Sequence, residues 1–95
     1  MIAPLQTTTR FALGRIMITS GAEAKIPPAD IQRALQRHAS GDWGELEGDD
    51  RAENDRALER SSPLASIFTA ANGIKFYIIT EGNREVTTVL LPEEY

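Results

Sequence analysis

Ile74-Lys75-Phe76-Tyr77-Ile78-Ile79-Thr80 is the stretch that decides the fold. It is dense in β-branched and aromatic residues, which pack well on a pleated surface. Turn signals bracket it, with Asn72-Gly73 before and Glu81-Gly82-Asn83-Arg84 after. Asn-Gly between two apolar runs is a strong hairpin signal, so Leu64 to Thr69 is expected to form the preceding strand. Glu85 to Leu91 reads as the following strand, closed by Pro92. Three successive strands make an antiparallel meander. Its alternation sends Thr87, Val89 and Leu91 to one face, and Val86, Thr88 and Leu90 to the other. Either Thr87 or Thr88 therefore points inward, where its hydroxyl needs a partner.

Working back towards the N-terminus, Asp50-Arg51-Ala52-Glu53 has the form of a capping box. It predicts a helix over residues 51–60, ended by Ser61-Ser62-Pro63. The apolar stripe of that helix is thin: Ala52, Ala57 and Leu58, with Asn54 one turn before Leu58 and facing inward with it. An earlier helix opens at Pro28, where a missing N–H costs nothing. Ile31, Ala34, Leu35 and His38 share its inner face at i, i+3, i+4 and i+7. Arg33 and Arg37 occupy the neighbouring stripe, and Gly41 can end the helix in the left-handed conformation. Further upstream, Ile16 to Thr19 is β-prone and should join the same sheet, while residues 21–26 allow one helical turn. Residues 1–9 read as a loose lead-in. The expected fold is α+β: one domain over residues 1–95, with two helices packed on one face of a three- to four-stranded antiparallel sheet.

Composition limits the chemistry. The 95 residues hold no cysteine and one histidine, so thiolate and histidine metal centres are not expected, and neither is a cofactor. No apolar run approaches the roughly 18–20 residues of a membrane span. No secretion signal is evident at the start, so a cytoplasmic protein without a membrane role is expected. The net charge of −4 is unevenly placed. Residues 1–40 carry five basic and two acidic side chains, whereas residues 45–60 carry seven acidic and three basic ones. Overall acidity argues against broad coating of nucleic acid, which depends on many phosphate contacts. The acidic segment is either a solvated helix face or a mimic of nucleic acid toward a basic partner.

Candidate site residues gather around Arg37-His38-Ala39-Ser40-Gly41-Asp42-Trp43-Gly44. His38 is either a general acid–base, suited by its reference pKa near 6.5, or a cap for the last carbonyls of its helix. Asp42 either orients His38 or caps the loop. Trp43 is either a stacking platform or a core anchor. Asn54 is a polar candidate on the second helix, and Arg84, beside Thr87 and Thr88, is a candidate phosphate ligand. Cleavage of RNA through its own 2′-OH fits this inventory, because the substrate supplies the nucleophile. On that reading His38, Asp42, Arg84 and Thr88 are catalytic, and Arg37, Trp43, Asn54 and Thr87 bind substrate.

Two resemblances add context. Leu35-x-Arg37-His38-x-Ser40-Gly41-Asp42-Trp43-Gly44, Asn54-Asp55-x-Ala57-Leu58, Phe76 to Glu81 and Thr87 to Tyr95 together resemble a family of small proteins of bacterial plasmids and integrative elements. The likeness covers about residues 12–95 and is sharpest over 38–44 and 79–95. The family usually has Asp-Arg-Ser where this chain has Asn83-Arg84-Glu85. The expected order of helices and sheet is also similar to the barnase–EndoU–colicin–RelE superfamily of metal-free ribonucleases. That likeness implies roles for His38, Arg84 and Thr87 or Thr88. Two expectations follow: a ribonuclease-like enzyme or toxin of a mobile element acting on RNA, or a non-enzymatic anti-defence or regulatory protein whose acidic 45–60 segment docks on a host or defence protein.

Overall fold

The computed structural model describes residues 9–95; the lead-in expected over 1–9 falls outside them except for Thr9. Strand β1 (Arg15–Ile18) is followed by three helices, α1 (Ser20–Lys25), α2 (Pro28–Ala39) and α3 (Gly48–Glu59). Then come β2 (Leu64–Thr69), β3 (Lys75–Thr80), β4 (Val86–Leu90) and a 3₁₀ turn at Pro92–Glu94. The strands form one sheet in the order β1-β4-β3-β2. The architecture is α+β, and no helix among the described residues is long and apolar enough to cross a membrane.

The meander forms with Ser66 opposite Ile78 and Ile78 opposite Val89. Two expectations need correction. The sheet is mixed rather than antiparallel, because β1 runs parallel to β4 with Ile16 opposite Thr87. A β-prone tetrapeptide specifies a strand but not its partner: the helices carry the chain from β1 to β2 at the far edge, and the meander then brings β4 back beside β1. Three helices pack on the sheet instead of two, since residues 20–25 form a helix of their own. Thr19, expected at the end of the strand, is its N-cap: the hydroxyl accepts from the Ala22 amide at 3.1 Å.

Helix α2 ends in a Schellman motif. Gly41, at φ +88°, donates to the His38 carbonyl at 3.0 Å, and Asp42 donates to the Arg37 carbonyl at 2.9 Å. The capping box expected at Asp50 does not form. Helix α3 starts earlier, at Gly48, so Asp49 and Asp50 sit in its first turn and favour the positive end of the helix dipole.

The inner face of the sheet is divided. One end is the main apolar core, where Ile26, Ile31 and Ala34 of the helices meet Phe68, Phe76, Ile78, Val89 and Leu91. At the other end Trp43, Ala57 and Leu64 form a second cluster flanked by Phe11 and Leu58. The same face also buries Ser66, Thr80 and Thr87.

The outer edge of β2 is closed by two devices. Asn54 reaches from α3 to the Ala65 backbone: its amide donates to the Ala65 carbonyl, and its oxygen accepts from the Ala65 N–H at 3.3 Å. The loop after α2 then lies alongside. Glu45 donates to the Ile67 carbonyl at 2.7 Å, and Ile67 donates to the Trp43 carbonyl at 3.3 Å. Ladder groups that would otherwise be open are thus paired.

Candidate functional site

His38 is fully buried, with 0% exposure. The spacing that put it on the inner face of α2 aims its ring at the sheet between the two apolar clusters. Ser66 Oγ lies 2.6 Å from Nδ1 and Thr80 Oγ1 lies 2.8 Å from Nε2. Thr80 Oγ1 is in turn 2.8 Å from Thr87 Oγ1, and Thr87 donates to the Leu13 carbonyl at 2.7 Å.

This chain of contacts fixes where the protons are. A hydroxyl has one proton to give. Thr87 gives its proton to Leu13, so Thr80 must donate to Thr87. The Thr80 oxygen is then the acceptor for His38, so Nε2 carries the ring proton. Nδ1 is left as an acceptor for Ser66. The neutral Nε2–H tautomer therefore satisfies every member of the network. A second ring proton would turn Nδ1 into a donor and reverse the Ser66 bond. Burial, reinforced by the positive charge of Arg84, lowers the His38 pKa from 6.5 to about 4.

Aromatic rings enclose the imidazole. Phe11 meets it edge-on at 5.2 Å between centroids, and Trp43 does so at 5.6 Å. Trp43 is 1% exposed, and its indole N–H donates to Asp55 at 2.9 Å. It is a core anchor, and its ring is not presented for stacking on a ligand.

Arg84 approaches from the far side of Phe11, its guanidinium 5.7 Å from the ring centroid. It adopts a left-handed φ of +62°, alone among non-glycine residues described. That turn aims its fork at backbone carbonyls: Nη1 donates to Ser62 at 2.6 Å and Nη2 to Ala57 at 2.8 Å, with longer bonds to Arg60, Glu81 and Gly82. Ala57 and Arg60 lie at the C-terminal end of α3, the negative end of its dipole. Arg84 thus clamps that helix end to the β3–β4 turn.

The expected constellation is only partly assembled. His38, Thr87 and Trp43 come together as a buried and satisfied core, with the half-buried Arg84 beside it. Asp42 does not orient His38. Its carboxylate accepts from Arg37 at 2.7 Å and from the Gly44 amide at 3.0 Å, and the Arg37 bond leads the effects that hold its pKa down. Ser66 and Thr80 orient the ring instead. Thr88 points to the opposite face of the sheet, as strand alternation requires once Thr87 is inward. Asn54 is occupied with Ala65. Arg37 stays half-exposed, stacked 4.7 Å over Phe68, and with Arg33 lines a cleft between α2 and the β2–β3 hairpin. Phe11, Ser66 and Thr80 were not foreseen. A signal for two of them was present: Ser66 and Thr80 have the parity of Leu64, Phe68, Phe76 and Ile78, and a hydroxyl on an apolar face requires a partner.

Compared with protein-family models, curated proteins and solved structures, the chain has no significant match in any of the three.

Proposed function

We propose that this protein is a non-enzymatic binding protein whose acidic helix α3 docks on a basic, nucleic-acid-reading surface of a host or defence protein. The observation that carries this reading is how α3 is mounted. Asn54, Ala57 and the half-buried Leu58 hold its inner side, Asp55 and Arg51 tie it to the 43–46 loop, and Arg84 clamps its end. Asp49, Asp50, Glu53 and Glu59 are left exposed in a segment of strongly negative charge. An exposed helix with net negative charge, Glu53 paired with Arg56 and Asp49, Asp50 and Glu59 facing outward, is complementary in charge to a surface that reads phosphates, and such complementarity speeds and selects encounters. The residues first considered for acid–base cleavage of RNA support the same reading from the other side. His38, Asp42 and Arg84 spend their hydrogen-bonding groups on the fold, Thr88 lies on the opposite face of the sheet, and His38 is neutral and enclosed.

The test is capture of bacterial lysate proteins on the immobilised chain at low salt. Nucleic-acid-binding proteins should be retained, be released as salt is raised, and be displaced by added DNA or RNA. The triple variant Asp49→Asn, Asp50→Asn, Glu53→Gln should lose them while keeping its circular dichroism spectrum. Equal capture by that variant sinks the proposal. So does fragmentation of total RNA in cells expressing the wild-type chain but not His38→Ala, which would return the protein to the ribonuclease-like class.

A further inference from the structure

The two edges of the sheet are treated differently. The β2 edge is paired by Asn54 and the 43–45 loop, whereas nothing among the described residues pairs with the outer edge of β1. Arg15 and Thr19 donate their N–H groups inward, to the carbonyls of Glu85, just before β4, and of Val89 within it. Backbone groups alternate along a strand, so the N–H and C=O of Ile16 and Ile18 point away from the sheet. The side chains here are apolar and unusually open: Ile16 is 38% exposed, Met17 46% and Ile18 41%. Native sheets usually blunt such an edge with charge, proline or a covering loop.

We propose that β1 is a self-pairing edge, through which two copies of this chain join antiparallel about a two-fold axis to merge their sheets into one. The register follows from the outward groups. Ile16 pairs with Ile18 of the second copy in both directions, and Met17 faces Met17 on the axis. That arrangement matches apolar with apolar on both faces. Ile16 and Ile18 lie on the helix side with Thr87 and Val89, and Met17 lies on the opposite side with Thr88. Ile18 also forms one lip of an apolar groove of about 280 Å³ with Ile26, Pro28, Ile31 and Leu35, so the second copy's Ile16 extends an existing contact.

Charge selects the same occupant. In this register Arg15 stands opposite Thr19 of the second copy. The Thr19 hydroxyl donates to the Glu94 carboxylate at 2.6 Å, so each Arg15 meets a carboxylate already anchored on the other chain. Two-fold symmetry makes the pairing reciprocal, as an isologous interface requires. A single strand's edge and its two ends thus supply ladder, apolar and ionic complementarity to itself. The inference is independent of what α3 binds.

Sedimentation equilibrium over a dilution series tests it. Wild type should move from 10.4 kDa towards twice that mass as concentration rises. Ile16→Pro removes an N–H that faces away from its own sheet, a position where an edge strand accepts proline. It should keep the wild-type circular dichroism spectrum and sediment at 10.4 kDa throughout. Met17→Glu opposes two carboxylates on the axis and should also be monomeric, giving a second reading if proline disturbs the fold. Arg15→Glu should raise the dimer Kd by about tenfold, since it turns attraction into repulsion at both ends. A wild type that stays at 10.4 kDa at every concentration overturns the inference, as does a folded Ile16→Pro or Met17→Glu that dimerises like wild type. Dimers that appear only after residues 1–8 are removed would assign the edge to the chain's own N-terminus and overturn it equally.

Discussion

His38 Nε2 and Thr80 Oγ1 are 2.8 Å apart across 42 positions of sequence, and that contact joins α2 to the middle of the sheet. Because burial, the Arg84 charge and the Ser66 bond to Nδ1 all favour the neutral ring, stability depends on pH. The folded pKa of about 4 lies below the ordinary 6.5, so the unfolded chain binds the proton more readily between those values. The contribution is fully present above pH 6.5 and is lost as pH falls towards about 4. A shift of this size corresponds to roughly 3 kcal/mol over the whole window. Thermal melts from pH 7 to pH 4 should show a steep fall in Tm for wild type and a flatter one for His38→Gln. Parallel curves would show that another group governs the acid limb.

Thr80→Val should be far more damaging than Thr88→Val, although both replace a strand threonine by its apolar isostere. The first strands the His38 N–H and leaves Thr87 without its donor, and an unsatisfied buried polar group costs about 1–3 kcal/mol. The second acts on the half-exposed outer face, where about 0.5 kcal/mol or less is expected. Urea midpoints of the two variants provide the comparison. Equal losses would mean that the hydroxyl chain adds nothing beyond packing.

Arg84→Met removes a charge that helps keep His38 neutral. The His38 pKa should rise in the variant yet stay below the usual histidine value, because burial is the larger cause and remains. Stability should fall by about 1–3 kcal/mol as the carbonyls of Ala57 and Ser62 lose their donor. NMR titration of the single histidine reads the first effect and denaturant melts the second. Arg84→Lys should keep the pKa but not the stability, since an ammonium cannot span the fork.

Gly44→Ala should open the covered edge of β2. Gly44 has φ +68°, and a Cβ there would lie 2.0 Å from the Ile67 carbonyl oxygen. The Trp43–Glu45 crossing of β2 would have to lift, for a loss of at least ~2 kcal/mol. Trp43 is the only tryptophan, so its emission reports the change directly as a red shift. An unshifted spectrum would show that the loop adapts.

The sequence made some of this legible and concealed the rest for physical reasons. The meander was readable because β-branched runs and Asn72-Gly73 act locally, as was the inner stripe of α2 ending on His38. The parallel partner of β1 was not, since no local signal encodes a pairing 71 residues away, Ile16 with Thr87. The capping box failed at Asp50 because the chain enters α3 from the edge-sealing loop, and that tertiary contact overrides the local motif. His38, Arg84 and Thr87 stand out in the sequence as candidate catalytic or binding groups, Thr87 also as a hydroxyl that needs a partner if it faces inward. Their partners proved to be one another's neighbourhood and the backbone, which only the packed sheet reveals. Arg84 looked like a free turn cation because the carbonyls it holds come from residues 22–27 positions earlier.

The asymmetry of the two sheet edges sets a stoichiometry. A strand that pairs outward on both sides is a monomer unit for a fibre, since every addition exposes a fresh end. Here Asn54 and the 43–45 loop act as a chain terminator on one side. Pairing through β1 consumes the remaining open end of each molecule among the described residues, so growth stops at two. Asn54 is therefore a guard against propagation as well as a helix anchor. Exchanging its carboxamide for a methyl group would free the Ala65 N–H and C=O on that edge and leave the 43–45 loop as its remaining cover.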